Sequence, residues 1–236
     1  MTASRSLGRR PSYQEKAGSR SRTRSLKVRA QQILKALEEA IPIPEVELSS
    51  SNPLELLIAT ILSAQCTDER VNRVTPALFS RFRSAEAFAQ ADPQELEALI
   101  RSTGFYKSKA KNIMACGEAV ATRYDGVVPD SMEELTSLPG VGRKTANVLL
   151  GSYFKKPAIV VDTHVKRVSN RLNLTQHHDP TMIEYDLQKL LPPSQWTVGA
   201  QRLLLHGRYV CQARLPKCGI CPIYELCHWS GKLSDV

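Results

Sequence analysis

Lys144 closes the run Leu138-Pro139-Gly140-Val141-Gly142-Arg143-Lys144, and Asp162 follows the apolar pair Val160-Val161 a short way downstream. A lysine amine is a nucleophile toward electrophilic carbon, and a carboxylate takes up a proton or steadies a developing positive charge. Glycines at 140 and 142 let the backbone adopt φ > 0 and approach a ligand with no Cβ in the way. The N–H groups of such a turn, leading into a helix N-terminus, form a concave site for an anion. A hairpin of this kind grips phosphate without reading sequence. Taken singly, the same residues have plainer readings: an interhelical turn for 138–145, a phosphate-holding lysine for Lys144 and a helix N-cap for Asp162. Capping and chemistry are compatible in one aspartate.

A second constellation lies near the C-terminus. Cys211, Cys218, Cys221 and Cys227 are spaced C-x6-C-x2-C-x5-C within 17 residues, more tightly than packing requires. An intracellular protein does not usually hold such cysteines as disulfides. Four thiolates in one loop point to a metal centre, either zinc or a [4Fe–4S] cluster. Zinc ribbons generally use two C-x2-C knuckles, whereas this chain has one with uneven outer arms, which favours iron–sulfur. Arg214 and Lys217 lie between the first two cysteines, away from any acid. A metal-pinned loop would present them to a phosphate backbone. Cys66 and Cys116 fall in apolar helical patterns and read as core thiols.

Helices must position these groups. Apolar spacing predicts them over 26–40, 54–65, 68–82, 84–90, 93–102, 107–124, 131–138, 143–153, 162–172, 180–190 and 197–209. Asp92-Pro93 and Asp179-Pro180 each supply an N-cap followed by proline at the first helical position. Asp130 to Glu133 reads as a capping box, Pro139-Gly140 as a stop, and Pro76 as a kink or break in its helix. No strand-length alternation occurs, and 158–161 is too short to build a sheet. The expected fold class is all-α. Residues 100–109 echo the hairpin weakly, with Gly104, Lys107 and Lys109 but no second glycine. That segment reads equally as a second DNA-contact loop and as an ordinary turn.

The net charge of +9, from 32 basic and 23 acidic residues in 236, points to a polyanionic partner. Nearly all of it sits at the N-terminus, where residues 1–30 hold nine basic residues against Glu15 alone. The body is close to neutral, but its charges are segregated. Asp162 is the sole acid from 135 to 178, a stretch with seven cations. Acid-free windows from Ala98 to Gly117 and from Leu187 to Tyr224 hold further lysines and arginines. Such stripes suit a face that tracks phosphates. The Ser/Arg-rich tail reads either as a disordered arm that raises encounter with DNA or as an organelle transit peptide. No apolar run approaches the roughly 20 residues a bilayer span needs, so no membrane partner is expected.

Lys144 in the hairpin, Asp162 after the valines and the cysteine spacing together resemble the endonuclease III family, the bifunctional DNA glycosylase/AP lyases of the helix-hairpin-helix superfamily. Leu57-Ile58-Ala59-Thr60 leading into Ser63-Ala64-Gln65, Gly104-Phe105-Tyr106 and Leu205-His206-Gly207-Arg208-Tyr209 extend the resemblance over roughly 26–229. It implies two helical domains with an interdomain cleft. A six-helix barrel with the helix-hairpin-helix would cover 46–156. A discontinuous iron–sulfur domain would join 26–45 to 157–236, with 1–25 as a disordered basic tail. Lys144 and Asp162 would be the catalytic pair, removing oxidised or ring-saturated pyrimidines through a lysine Schiff base and nicking 3′ to the abasic site.

The same resemblance assigns DNA contacts to Gln65, Phe105, Gly140, Gly142, Arg143 and Lys217. Gln65 would fill the gap left by the flipped base. Phe105 stands where family members commonly carry a leucine wedge, which departs from the pattern. Cys211, Cys218, Cys221 and Cys227 would hold a [4Fe–4S] cluster. His164 either contacts phosphate, supports Asp162 or is a satisfied interior histidine. The implied partner is double-stranded DNA with damaged pyrimidines or abasic sites, bound by a monomer in the cytoplasm at the nucleoid, unless the tail directs the chain to an organelle. A monofunctional mismatch adenine glycosylase is the nearest alternative, although those proteins generally lack the hairpin lysine. A non-catalytic DNA-binding module is the alternative of a different class.

Overall fold

The computed structural model describes residues 13–44 and 47–233, with side chains described from residue 25 onward. Its regular elements are all helical, and no strand occurs among the described residues. The long α1 (Tyr13–Ala40) is followed by α2 (Pro53–Leu62), α3 (Asp68–Arg81), α4 (Ala85–Ala89), α5 (Pro93–Ile100) and α6 (Tyr106–Arg123). Then come α7 (Met132–Thr136), α8 (Arg143–Val148), α9 (Thr163–Arg171), α10 (Pro180–Leu190) and α11 (Trp196–Tyr209).

The buried apolar residues fall into two clusters. One is built on α2, whose residues from Leu56 to Leu62 are all buried, as suits a helix with no charge beyond Glu55. It takes in Val71 and Leu78 of α3, Phe88 of α4, Ile113 and Cys116 of α6, and Leu138 and Leu149 around the hairpin. The other gathers Ile33, Leu34 and Leu37 of α1 with Val165, Val168, Ile183, Leu187 and Leu203, so that α1 packs on α10 and α11.

Local chemistry explains most helix ends. Asp92 and Asp179 cap α5 and α10, each with proline at the first turn. The N-cap of α7 is Ser131, one residue later than the sequence suggests. Ser131 Oγ accepts from Glu134 N at 3.2 Å and donates to the Glu134 carboxylate at 2.6 Å, so the carboxylate takes the serine hydroxyl rather than the N-cap N–H of a capping box. Pro76 neither splits nor ends α3, which continues to Arg81. Its cost of about 3 kcal/mol is offset by burial of Val71, Val74 and Leu78, at roughly 1.5–3 kcal/mol each. α1 begins at Tyr13, inside the stretch expected to be a disordered tail. Extending a helix already nucleated by packing costs far less than starting one. Residues 1–12 lie outside the described residues.

The segment after the hairpin is not one regular helix. α8 passes into a π-helical turn over Leu149–Tyr153, with Phe154 N bonded to Leu149 O at 3.0 Å. Gly151 lies in that turn against Thr197 of α11, and a Cβ there would stand 2.8 Å from the Thr197 methyl carbon. Thr197 Oγ1 also accepts from Ala158 N at 3.3 Å and donates to Ala158 O at 3.1 Å. The two cores therefore meet tightly beside the hairpin helix.

A charged clasp reinforces that junction. Arg143, first residue of α8, donates from Nε and Nη2 to both carboxylate oxygens of Glu184 on α10, at 2.8 Å each. The Glu184 side chain is only 4% exposed, and Arg143 lies over the Tyr185 ring at 5.2 Å. Removing one partner of such a pair strands the other in a dry site. Arg143→Ala is therefore expected to cost about 2 kcal/mol in urea unfolding, discounted from a fully buried pair because the guanidinium is partly solvated. Arg143→Ala with Glu184→Gln should recover part of that loss.

Candidate active site

Between the two cores runs a cleft of about 520 Å³. Lys144 enters it from α8 and Asp162 from the end of the connector before α9. Lys144 is exposed, and its amine has no protein acceptor among the described residues. Asp162 is half-buried and caps α9: its Oδ1 accepts from Val165 N at 2.7 Å. Its other carboxylate oxygen has no protein partner among the described residues, so capping leaves half of the group to the cleft. Amine and carboxylate are thus brought to one cavity from two different cores.

The hairpin is held from beneath. Leu138 and Val141 are buried, and Val141 N bonds to Leu138 O at 3.1 Å. The two glycines do different work. Gly140 adopts φ 78°, and an added Cβ would lie 2.9 Å from Asn112 Cβ. Gly142 sits at φ −93° as the N-cap of α8, so the positive φ expected at both positions occurs at only one. A Cβ on Gly142 would meet nothing in the protein. Its side faces open space, where a ligand would come close.

Of the remaining expected DNA contacts, none of Gln65, Phe105, Arg143 and Lys217 lines this cleft, and Lys217 lines the cysteine pocket instead. Gln65 is exposed at φ 53° and Phe105 is 66% exposed at φ 48°. Phe105 is therefore no core aromatic. The Arg143 guanidinium is committed to Glu184 rather than pointed at a ligand. Lys217 is exposed beside the cysteine loop, where its N–H donates to Val210 O at 2.9 Å. His164 lines the cleft but bonds through Nδ1 to Arg167 Nη2 at 3.1 Å, not to Asp162. Cys66 also lines the cleft and is half-buried, in contrast to the expected core thiol. Cys116 is a core thiol, with its pKa pushed up to about 12 by burial.

Pattern reading gave no partner to several residues that build the site. Arg208 lines the cleft, donates to Asp68 at 3.3 Å and pairs with Glu47, joining α11 to the first core. Glu184 and Lys109 are buried charged residues, and only their three-dimensional partners mark them.

All four C-terminal cysteines line one pocket behind α11, with Val168, His206 and Trp229, and all are free thiols. Cys211 Sγ accepts from Arg171 Nη1 at 3.3 Å, and Cys221 Sγ lies 3.8 Å from His206 Nε2. Arg171 stacks on Trp229 at 3.9 Å and donates to the carbonyls of Gln212 and Ala213 at 2.7 and 2.9 Å. Burial pushes the Cys221 thiol up to about 11 and His206 down to about 4. Among the described residues no group of three His, Cys, Asp or Glu side chains is arranged to hold a metal ion. The donor set nevertheless suits a thiolate-bound centre. Four thiols share one pocket without an acid among the residues that line it, three cations (Arg171, Lys217 and Lys232) line it as well, and the buried His206 Nδ1 has no partner.

Two helical cores, a cleft with an amine opposite a carboxylate, and a hairpin beside it define a class of DNA-repair proteins. The family model for HhH-GPD superfamily base excision DNA repair proteins matches residues 58–193. Endonuclease III of Synechocystis sp. (strain PCC 6803) is 52% identical over 204 residues, covering 86% of this chain and 93% of that one. A non-covalent endonuclease III–DNA complex has a TM-score of 0.82 at 43% identity, covering 86% of this chain and 95% of that one. A trapped endonuclease III–DNA covalent intermediate has a TM-score of 0.80 at 44% identity, covering 84% and 95%. The chain belongs to the endonuclease III family.

The unequal glycines give a direct test of the hairpin. Gly140→Ala must force an L-residue into a left-handed conformation against Asn112. It is expected to lose about 1–3 kcal/mol of stability. Gly142→Ala should stay within about 0.5 kcal/mol of wild type and yet weaken duplex DNA binding. Equal stability losses at both positions would count against this account of the turn.

Proposed function

We propose that the protein is a bifunctional DNA glycosylase/AP lyase of base excision repair that removes oxidised or ring-saturated pyrimidines from duplex DNA. The observation that carries this reading is the convergence of Lys144 and Asp162 on one cleft from two cores. Lys144 Nζ, as the neutral amine, attacks the sugar C1′ of the damaged nucleotide. The C1′–N bond breaks, the base leaves with a proton, and ring opening converts the adduct to a Schiff base. Loss of a C2′ proton then expels the 3′ phosphate by β-elimination, and hydrolysis of the imine returns the lysine. Asp162 stabilises the cationic sugar with the carboxylate oxygen not used in capping, and accepts or returns protons. A trapped covalent intermediate with DNA in a relative supports the Schiff-base step for this chain.

The damaged nucleotide must leave the stack to reach the cleft. In this reading Gln65 fills the vacated space and Phe105 wedges the duplex. Gly140, Gly142 and Lys217 contact phosphates, and Arg143 contributes its backbone N–H while its side chain holds Glu184. The two apolar clusters support domains at 46–156 and at 26–45 with 157–236. Cys211, Cys218, Cys221 and Cys227 hold a [4Fe–4S] cluster, which when bound cross-links the loop that carries Arg214 and Lys217 and takes no step in the reaction. The protein acts as a monomer in the cytoplasm. No helix among the described residues is long and apolar enough to cross a membrane.

Borohydride trapping on abasic duplex DNA tests the chemistry. Wild type should form a covalent adduct, whereas Lys144→Ala should form none and still bind DNA. An adduct with Lys144→Ala would sink the lyase assignment. Asp162→Asn keeps a capping oxygen, so it should fold with near-native stability and lose base release by about 10²–10⁴-fold. The purified protein should be yellow-brown with broad visible absorption, and colourless protein with stoichiometric zinc would overturn the iron–sulfur reading.

A further inference from the structure

Lys109 is only 5% exposed, and no carboxylate pairs with it among the described residues. A buried ammonium without a counter-charge needs a structural reason. Its Nζ donates to Leu62 O at 2.7 Å and to Thr103 O at 2.8 Å. Those carbonyls belong to the last residue of α2 and the last residue of a short 3₁₀ turn, Arg101–Thr103. The final carbonyls of a helix have no partner within it and carry partial negative charge. At the end of α2 the others are served locally: Ser63 N bonds to Ala59 O and Ile61 O, and Ser63 Oγ to Thr60 O. Leu62 O is left to Lys109.

Both chain segments then do the same thing. Three residues after Leu62, Gln65 turns into the left-handed region at φ 53° with its side chain exposed. Two residues after Thr103, beyond Gly104 at φ 72°, Phe105 does so at φ 48°. Left-handed conformations at non-glycine residues persist only where the surroundings impose them. Lys109 grips Phe105 from its backbone as well, with Lys109 N bonded to Phe105 O at 3.0 Å. A single side chain thus ties together the two segments that carry these exposed, strained residues.

We propose that Lys109 is a positioning residue for base extrusion: its ammonium fixes the loops of Gln65 and Phe105 at one separation, so that both enter the duplex as a rigid pair. This rests on the reading of Gln65 and Phe105 as the residues that enter DNA. Lysine suits the task because a compact ammonium offers three donors on a flexible stem. Lys109→Met keeps the stem and deletes the donors, freeing the two loops from each other. An abasic site has no damaged base to unstack, so its nicking depends much less on a rigid pair.

The experiment compares single-turnover base release from a fully paired duplex carrying an oxidised pyrimidine with nicking of the same duplex carrying an abasic site. Unstacking is followed in parallel by fluorescence of 2-aminopurine placed beside the lesion. Lys109→Met is expected to slow base release and unstacking by about tenfold or more, as small misplacements of reacting groups do, while abasic nicking changes by less than about threefold. In a Gln65→Ala, Phe105→Ala background the same change should cost little further, because the residues act as a unit. An equal loss on both substrates, or no loss on either, overturns the inference. Should Lys109→Met fail to fold, Lys109→Arg carries the test: it keeps the charge but not the donor geometry, and a loss confined to the paired lesion is again expected. If Gln65→Ala and Phe105→Ala leave unstacking unchanged, the reading of those two residues fails and the inference with it. If they slow it and Lys109→Met does not, only the inference fails.

Discussion

The bidentate pair between Arg143 and Glu184 holds the hairpin of one core against α10 of the other, and the geometry of the cleft depends on that junction. Lys144 is the next residue along the chain from the arginine. Any rotation of one core against the other would move the amine relative to Asp162 before it changed the interior of either core. A buried ion pair is a poor source of net stability, because desolvation consumes much of its Coulombic gain. It is a better device for register, since only one placement satisfies both carboxylate oxygens. Around it the Thr197–Ala158 bonds, the contact of Gly151 with Thr197 and the buried Asn147 bond to Ile159 O at 2.9 Å add short-range constraints of the same kind.

This use of charge inside the fold reshapes the electrostatics outside it. Several cations in the basic stripes are spent on the protein itself. Arg143 serves Glu184, Arg167 and Arg171 serve carbonyls around Cys211, Lys156 pairs with Asp130, and Arg202 holds Glu38 and the carbonyls of Ile41 and Pro42. Lys107, Lys111, Lys144, Arg214 and Lys217 remain exposed. A phosphate backbone would therefore meet a sparser set of cations than the sequence counts suggest, with Lys144 among them. The cysteine pocket is tied into the same network, because Arg167 reaches both His164 at the cleft and Cys211 O at the pocket, at 3.1 and 3.2 Å.

Asp162 caps α9 and lines the cleft at once, and in the proposed mechanism it serves local structure and chemistry together. Its cap on α9 fixes the carboxylate plane through the short bond from Val165 N, which leaves the second oxygen aimed by the helix rather than by a flexible side chain. In the proposed mechanism the preorganisation that favours electrostatic catalysis would come from the interaction that starts the helix. A reading that treats cap and catalyst as rivals misses this, since a carboxylate has lone pairs enough for both.

Sequence alone determined what depends on near neighbours. The helical periods, the Asp-Pro starts of α5 and α10, the hairpin before Lys144 and the four-cysteine spacing are local patterns, written in residues a few positions apart. So was the all-helical class, because it follows from the same local periods; that Lys144 and Asp162 line one cleft came from the packing of the two cores. Only the tertiary structure decided which charges are buried and what they meet. In sequence Lys109 falls in a basic window and in a turn that reads equally as a DNA-contact loop and as an ordinary connection, Arg143 reads as a DNA contact, and Cys66 as a core thiol. Their partners lie 47 residues away for Lys109 and 41 for Arg143, and no periodicity spans such separations. The equal weight given to Gly140 and Gly142 failed for the same reason: a glycine records permission for a backbone angle, and packing against Asn112 settles whether it is used.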